Sequence, residues 1–170
     1  MSVLRSGTLA RRAGRLEEAL QRMHEAAAIC GPDQDWERGQ VLRELGEAAR
    51  NSHEPRLAQT YYEQSVVLLR SSADALMLAH TIRHLGDVHA KQQHWSEAER
   101  CYVEALDIYR CHPSPGALDL ANAIRAHAAL KSEICQAVEA RLLWAEAGAL
   151  YESEGIAAGA EECRRRAESA

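Results

Sequence analysis

Along this chain, apolar residues recur three and four positions apart, in stretches broken by short segments rich in Gly, Pro, Ser and His. That period is one face of an α-helix; a half-buried strand would alternate every second residue. The pattern predicts helices over 2–12, 15–30, 34–51, 55–70, 73–91, 95–111, 116–133, 136–153 and 156–168. Breaks are expected at Gly14, Pro32, Ser52 to Pro55, His94 to Ser96, Pro113 and Pro115. Ser114-Pro115 has the form of a helix N-cap followed by Pro at the first helical position.

The helical pattern itself repeats. Leu45-Gly46 and Leu85-Gly86 stand 40 residues apart. Twelve residues after each Gly comes an Ala (Ala58, Ala98), four later a Tyr (Tyr62, Tyr102), and three later a small residue (Ser65, Ala105). The same comb fits Gly7, Ala19, Met23 and Ala26 near the N-terminus, and Ala128, Ala140, Trp144 and Ala147 in the C-terminal third. Each unit reads as a helix hairpin. The Gly of the first helix admits the second at close range, and the small-aromatic-small series at i, i+4 and i+7 is one face of that second helix. The last helix, 156–168, has no following partner. Its Glu161, Glu162, Arg164, Arg165 and Arg166 suit a solvating end cap, which stacked repeats require.

Composition strengthens the helical reading. There are 31 Ala and 19 Leu against 7 Val, 6 Ile, 3 Thr and no Phe. Strands lack the β-branched and aromatic residues they favour, so an all-α fold is expected. The net charge of −5 disfavours a nucleic-acid or acidic-membrane partner. Five cysteines, odd in number and without a Cys-x-x-Cys pair, point to a reducing compartment, and a cytoplasmic location is expected. The first 14 residues carry Arg5, Arg11 and Arg12 but no apolar core of signal-peptide length. No stretch approaches the roughly 18 apolar residues of a membrane span.

With these motifs in place, the chain resembles the tetratricopeptide-repeat family. The likeness is strongest from His80 to Arg110, which contains His84-Leu85-Gly86-Asp87 and then Trp95-Ser96-Glu97-Ala98-Glu99-Arg100-Cys101-Tyr102. The spacing near 40 resembles the longer-repeat branch found in kinesin light chains and bacterial regulators. Three departures stand out: Ser6 in place of Leu before Gly7, His127-Ala128 in place of Leu-Gly, and Cys135 in a turn where Gly is common. The resemblance implies a right-handed α-solenoid of four helix hairpins plus a C-terminal capping helix. It would form one domain over 1–170, with repeats at about 1–31, 32–71, 72–113 and 114–154 and a cap at 156–168. It also implies a protein-binding activity, with a protein or peptide held in the concave groove lined by the first helix of each hairpin.

The residues then suggest what that groove contains. Arg43 and Arg83 each stand two residues before the Leu of Leu-Gly, and Arg125 and Arg164 hold the equivalent places later. Four of five first-type helices therefore carry Arg at one point of the repeat. Gln40, His80, Asn122 and Glu161 lie three residues before it; Glu47, Asp87, Ala129 and Glu168 lie four after. A polar groove floor with a guanidinium row is expected. Arg43–Glu47 and Arg83–Asp87 could serve only as i,i+4 pairs within their helices, although Arg preceding the acid is the weaker order. Alternatively the row takes polar or acidic peptide segments. The carboxylate clamp of some tetratricopeptide proteins does not fit, because Glu47 and Asp87 stand where Asn is wanted and Glu44 and His84 fill the next row.

Other chemistry finds little support. His80 and His84 share a helix face, as two zinc ligands can, but no His-Glu-x-x-His motif or third ligand joins them, and no metal or cofactor is expected. Cys111 and His112 are adjacent in a turn where their side chains diverge, and no Gly-rich phosphate loop exists, so no enzymatic activity is expected. Cys163 stands where Ile82 and Ile124 stand in their repeats and reads as a packed apolar residue. Trp36 has no equivalent in the comb; it is either a local staple or a binding anchor. The expected function is a non-catalytic adaptor. A structural homodimerisation module and a peptide-sensing regulatory domain are the alternatives.

Overall fold

The computed structural model describes residues 17, 18, 21, 22, 25 and 34–170. The five isolated residues, all within the helix expected over 15–30, are helical. The rest of that helix, the helix expected over 2–12 and the comb positions Gly7, Ala19, Met23 and Ala26 lie outside the described residues. Residues 34–170 form α1 (Asp35–Asn51), α2 (Pro55–Leu69), α3 (Ala75–Lys91), α4 (Trp95–Cys111), α5 (Ala117–Glu133), α6 (Ala137–Ser153) and α7 (Ala157–Ser169). They contain no strand.

Local signals explain most of the boundaries. Asp74 caps α3, its side chain accepting from the Met77 amide at 2.9 Å. Pro55 opens α2 at a position where no amide proton is needed. The Ser114-Pro115 start is corrected. Gly116 is the N-cap of α5, without a side-chain cap hydrogen bond, and the helix begins at Ala117. The tight turns share one design. His53, Gln93, Cys135 and Gly155 adopt φ of 60°, 61°, 59° and 71°. The residue after each returns a hydrogen bond to the preceding helix: Glu54 to Ala49, His94 to His89, Gln136 to Lys131 and Ile156 to Tyr151, at 2.8–3.0 Å. This left-handed C-terminal turn is usually built on Gly, yet three of the four positions are not Gly. Tertiary packing of the hairpin therefore holds the conformation there.

Packing follows the comb. The helices stack in sequence, α1 on α2, α3 on α4 and α5 on α6 within hairpins, with α2 on α3, α4 on α5 and α6 on α7 between them. Ala58, Ala98 and Ala140 are fully buried, as are Tyr62, Tyr102 and Trp144. The glycines are required by close approach. A Cβ on Gly46 would lie 2.8 Å from the Tyr62 ring, and one on Gly86 would lie 2.7 Å from the Tyr102 ring. Cys163 is buried like Ile82 and Ile124, facing Gly148 of α6. The second helices are also joined to one another by ion pairs, Arg70–Glu104 at 2.6 Å and Arg110–Glu146 at 2.9 Å. Trp36 serves as a staple: its indole donates to the Asp74 carboxylate at 3.3 Å and ties α1 to the start of α3. Among the described residues no helix is long and apolar enough to cross a membrane.

Candidate functional site

The first helices α1 and α3 carry a connected polar cluster. Tyr62 and Tyr102 reach back from the second helix of each hairpin to a carboxylate on the first. Tyr62 donates to Glu47 at 2.9 Å and Tyr102 to Asp87 at 3.0 Å. Arg50 also donates to Glu47 at 2.6 Å, and Arg83 to Asp87 at 3.0 Å. His84 joins the two halves. Its Nδ1 lies 3.2 Å from Asp87 and its Nε2 2.8 Å from Arg83, 3.0 Å from His80 and 4.0 Å from Glu47. Its ring stacks on Tyr62 with centroids 5.9 Å apart.

These contacts select one tautomer. Asp87 can only accept, so Nδ1 of His84 carries the proton, and the single lone pair of Nε2 is left to accept from Arg83, the nearer donor. Burial keeps His84 neutral, outweighing its hydrogen bond to Asp87. Burial likewise lowers His80, to about 3, aided by His84, Arg83 and Arg43. Glu47 is lowered as well, which keeps it charged. Burial opposes its ionisation, but His84 when charged, Arg50 and the Tyr62 hydroxyl together hold it at about 2. At neutral pH His84 is uncharged, so Arg50 and Tyr62 carry that effect. Asp87 is held low in the same manner, against its burial, by His84, Arg83 and Tyr102. The tyrosine hydroxyls are pushed well above their usual value, by burial first and then by these carboxylates.

The Arg row is therefore not uniform. Arg43 pairs with its neighbour Glu44, not with Glu47, and its side chain is 18% exposed. Arg83 makes the expected i,i+4 pair with Asp87 and is 13% exposed. Arg125 is 42% exposed and faces Glu162 of α7 at 3.8 Å, while Arg164, 67% exposed, pairs with Glu161 on its own helix. The structure thus brings Glu47, His80, Arg83 and Asp87 together, with Arg43 near enough to act electrostatically on His80. Gln40 is half-buried on the same helix as Arg43. Asn122 lies apart and accepts from Tyr151 at 2.6 Å.

The central role of His84 and the tyrosine-to-carboxylate bonds were not anticipated from the sequence. A signal for the latter was present: acid and Tyr are 15 residues apart in both repeats. The fourth repeat supplies a control. Ala129 stands in the acid's place and Trp144 in the tyrosine's, and the Trp144 indole donates to Ser132 at 3.0 Å instead. Acid and phenol are lost together. Among the described residues no group of three or more His, Cys, Asp or Glu is placed to hold a metal ion.

Residues 37–110 match the profile of a family described as Tetratricopeptide repeat. No curated protein sequence matches the chain. Among solved structures, BtubC (BKLC) from P. vanneervenii superposes with a TM-score of 0.75 at 16% identity, covering 96% of this chain and 76% of that one. MamA gives 0.66 at 16% identity, covering 97% and 87%. A putative kinesin light chain from Podosopora anserina with nearly identical TPR-like repeats gives 0.60 at 17% identity, covering 99% and 92%. At these identities the likeness is one of fold.

Proposed function

From the match of residues 37–110 to the tetratricopeptide-repeat profile we propose that this chain is a non-catalytic adaptor holding a polar segment of a partner protein along the row of first helices α1, α3 and α5. One observation carries this reading: Arg50 on α1 and Arg83 and His84 on α3 are held in place by the hairpins behind them. Tyr62 and Tyr102 anchor Glu47 and Asp87, and those carboxylates in turn orient Arg50, His84 and Arg83. Side chains held before binding lose little entropy on binding. Arg125, the more exposed member, is placed for a carboxylate of the incoming segment.

The experiment is capture of partners from native cell extract by wild type and by Arg43→Gln/Arg83→Gln/Arg125→Glu. Gln is chosen at 43 and 83 because a Glu at 83 would face Asp87 inside the cluster. Loss of a specific partner from the triple variant, with unchanged helicity and melting temperature, supports the groove. Retention of every partner overturns it.

A further inference from the structure

The row of first helices carries a second group of basic side chains, where α1 and α3 end. Between the turn that joins α1 to α2 and the last turn of α3 lies a cleft of about 470 Å³, bordered by Arg50, His53, Pro55, Asp87, Val88 and Lys91. Its basic side chains come from three segments: the end of α1, the turn after it and the end of α3. His53 and Lys91 are exposed, and neither pairs with an acid among the described residues. Arg50 donates through one terminal nitrogen to Glu47 at 2.6 Å, which fixes the guanidinium and leaves further donors of its fork.

The groups there that would repel an anion are engaged elsewhere. One oxygen of Asp87 accepts from Tyr102 and the other lies against Arg83 and His84. The last carbonyls of α1 accept from the amides of Ser52, His53 and Glu54, and those of α3 from Gln92, Gln93 and His94. Glu47 offsets Arg50 and Arg83 offsets Asp87, so Lys91 remains as the unmatched charge of the cleft. A cation near a helix C-terminus offsets the helix dipole, which accounts for Arg50 or Lys91 taken singly. It does not account for their meeting. At the next joint, between the α3–α4 turn and the end of α5, Ala90, Gln93 and Glu133 hold the places of Arg50, His53 and Lys91.

We propose that the Arg50–His53–Lys91 cleft binds the phosphoryl group of a phosphorylated Ser or Thr in the partner segment; the site rests on the groove reading for the remainder of that segment. Basic groups from three segments match the three terminal oxygens of a phosphomonoester, whereas a carboxylate offers two oxygens in one plane. Lys91 supplies a point charge and Arg50 a fork already held by Glu47. His53 closes the cleft from the side of the turn. Its φ of 60° is one that Gly adopts readily, so the backbone there does not require the imidazole.

The probe is the tripeptide acetyl-Gly-phosphoSer-Gly-amide, titrated into the isotope-labelled full chain and followed by amide NMR shifts, with the Ser and Glu tripeptides in parallel. Saturable shifts are expected around His53 and Lys91, with no response to the Ser tripeptide and binding of the Glu tripeptide weaker by about fivefold or more. Lys91→Glu, at an exposed position, should weaken binding about tenfold or more. His53→Gly suits the left-handed turn and should weaken binding several-fold without lowering the melting temperature. Arg43→Gln/Arg125→Glu, which changes the groove row outside the cleft, should bind the tripeptide as wild type does. The tripeptide therefore reports on the cleft, and partner capture by the groove variants reports on the row. Shifts that do not saturate, or unchanged affinity in Lys91→Glu or in His53→Gly, overturn the proposal. So does equal binding of the Glu tripeptide, since the cleft would then take any anion.

Discussion

His80 and His84 show how far a residue's chemistry depends on its neighbours. Both sit one helical turn apart on α3, with their Nε2 atoms 3.0 Å apart. Histidines free in solution begin to protonate below about pH 6.5. In the fold, His80 is kept neutral down to about 3, so between those values the unfolded chain binds more protons and stability falls with falling pH. Glu47, held at about 2 from 4.5, adds a further loss below pH 4.5. The urea midpoint should therefore drop as pH is lowered from 7 to 5, and His80→Gln should make that decline shallower; an equal slope in the variant would contradict the assignment. The recurrence of Arg was visible in the sequence, but its pairing was not. Arg43 and Arg83 occupy equivalent places, yet one pairs with Glu44 and the other with Asp87. Equivalent backbone positions do not dictate side-chain partners when Arg50 competes for Glu47 in one repeat and His84 bridges to Asp87 in the other.

At the scale of the element, helix ends and helix contacts were legible to different degrees. Trp95–Cys111 begins and ends where the period of apolar residues says it should. The Ser114-Pro115 cap was misread because a Ser-Pro dipeptide carries the same local signal whether it opens the helix or lies in the loop before it. The Gly of Leu-Gly was read for its contact, and the structure gives the reason: the Tyr102 ring presses on Gly86. Gly86→Ala raises intrinsic helix propensity by about 1 kcal/mol, but overpacking against a buried ring costs about 1–3 kcal/mol. Net destabilisation by about 1 kcal/mol is expected in urea unfolding, whereas a stabilised variant would show that the ring can move aside.

Across the described helices of the molecule, contacts run mainly between neighbours in sequence, with a smaller one from α3 to α5. In such an array each helix is held chiefly by its neighbours, so stability varies along the stack with the area each one buries. Helix α7 packs mainly on α6, with Arg125 of α5 facing its Glu162, and buries one residue completely, Cys163. Its amides should exchange with deuterium well before those of α3 and α4, measured by mass spectrometry of peptic fragments. Uniform protection from α3 to α7 would mean that the described repeats open as one unit.

Over residues 34–170 the sequence by itself determined the helices, their pairing into hairpins and the small and aromatic residues of the core, because each of these depends on spacing of a few residues along the chain. Only the tertiary structure decided which charges meet and where the phenols of Tyr62 and Tyr102 end. Those outcomes depend on distances between helices that packing sets, and on competition among several nearby partners for the same carboxylate.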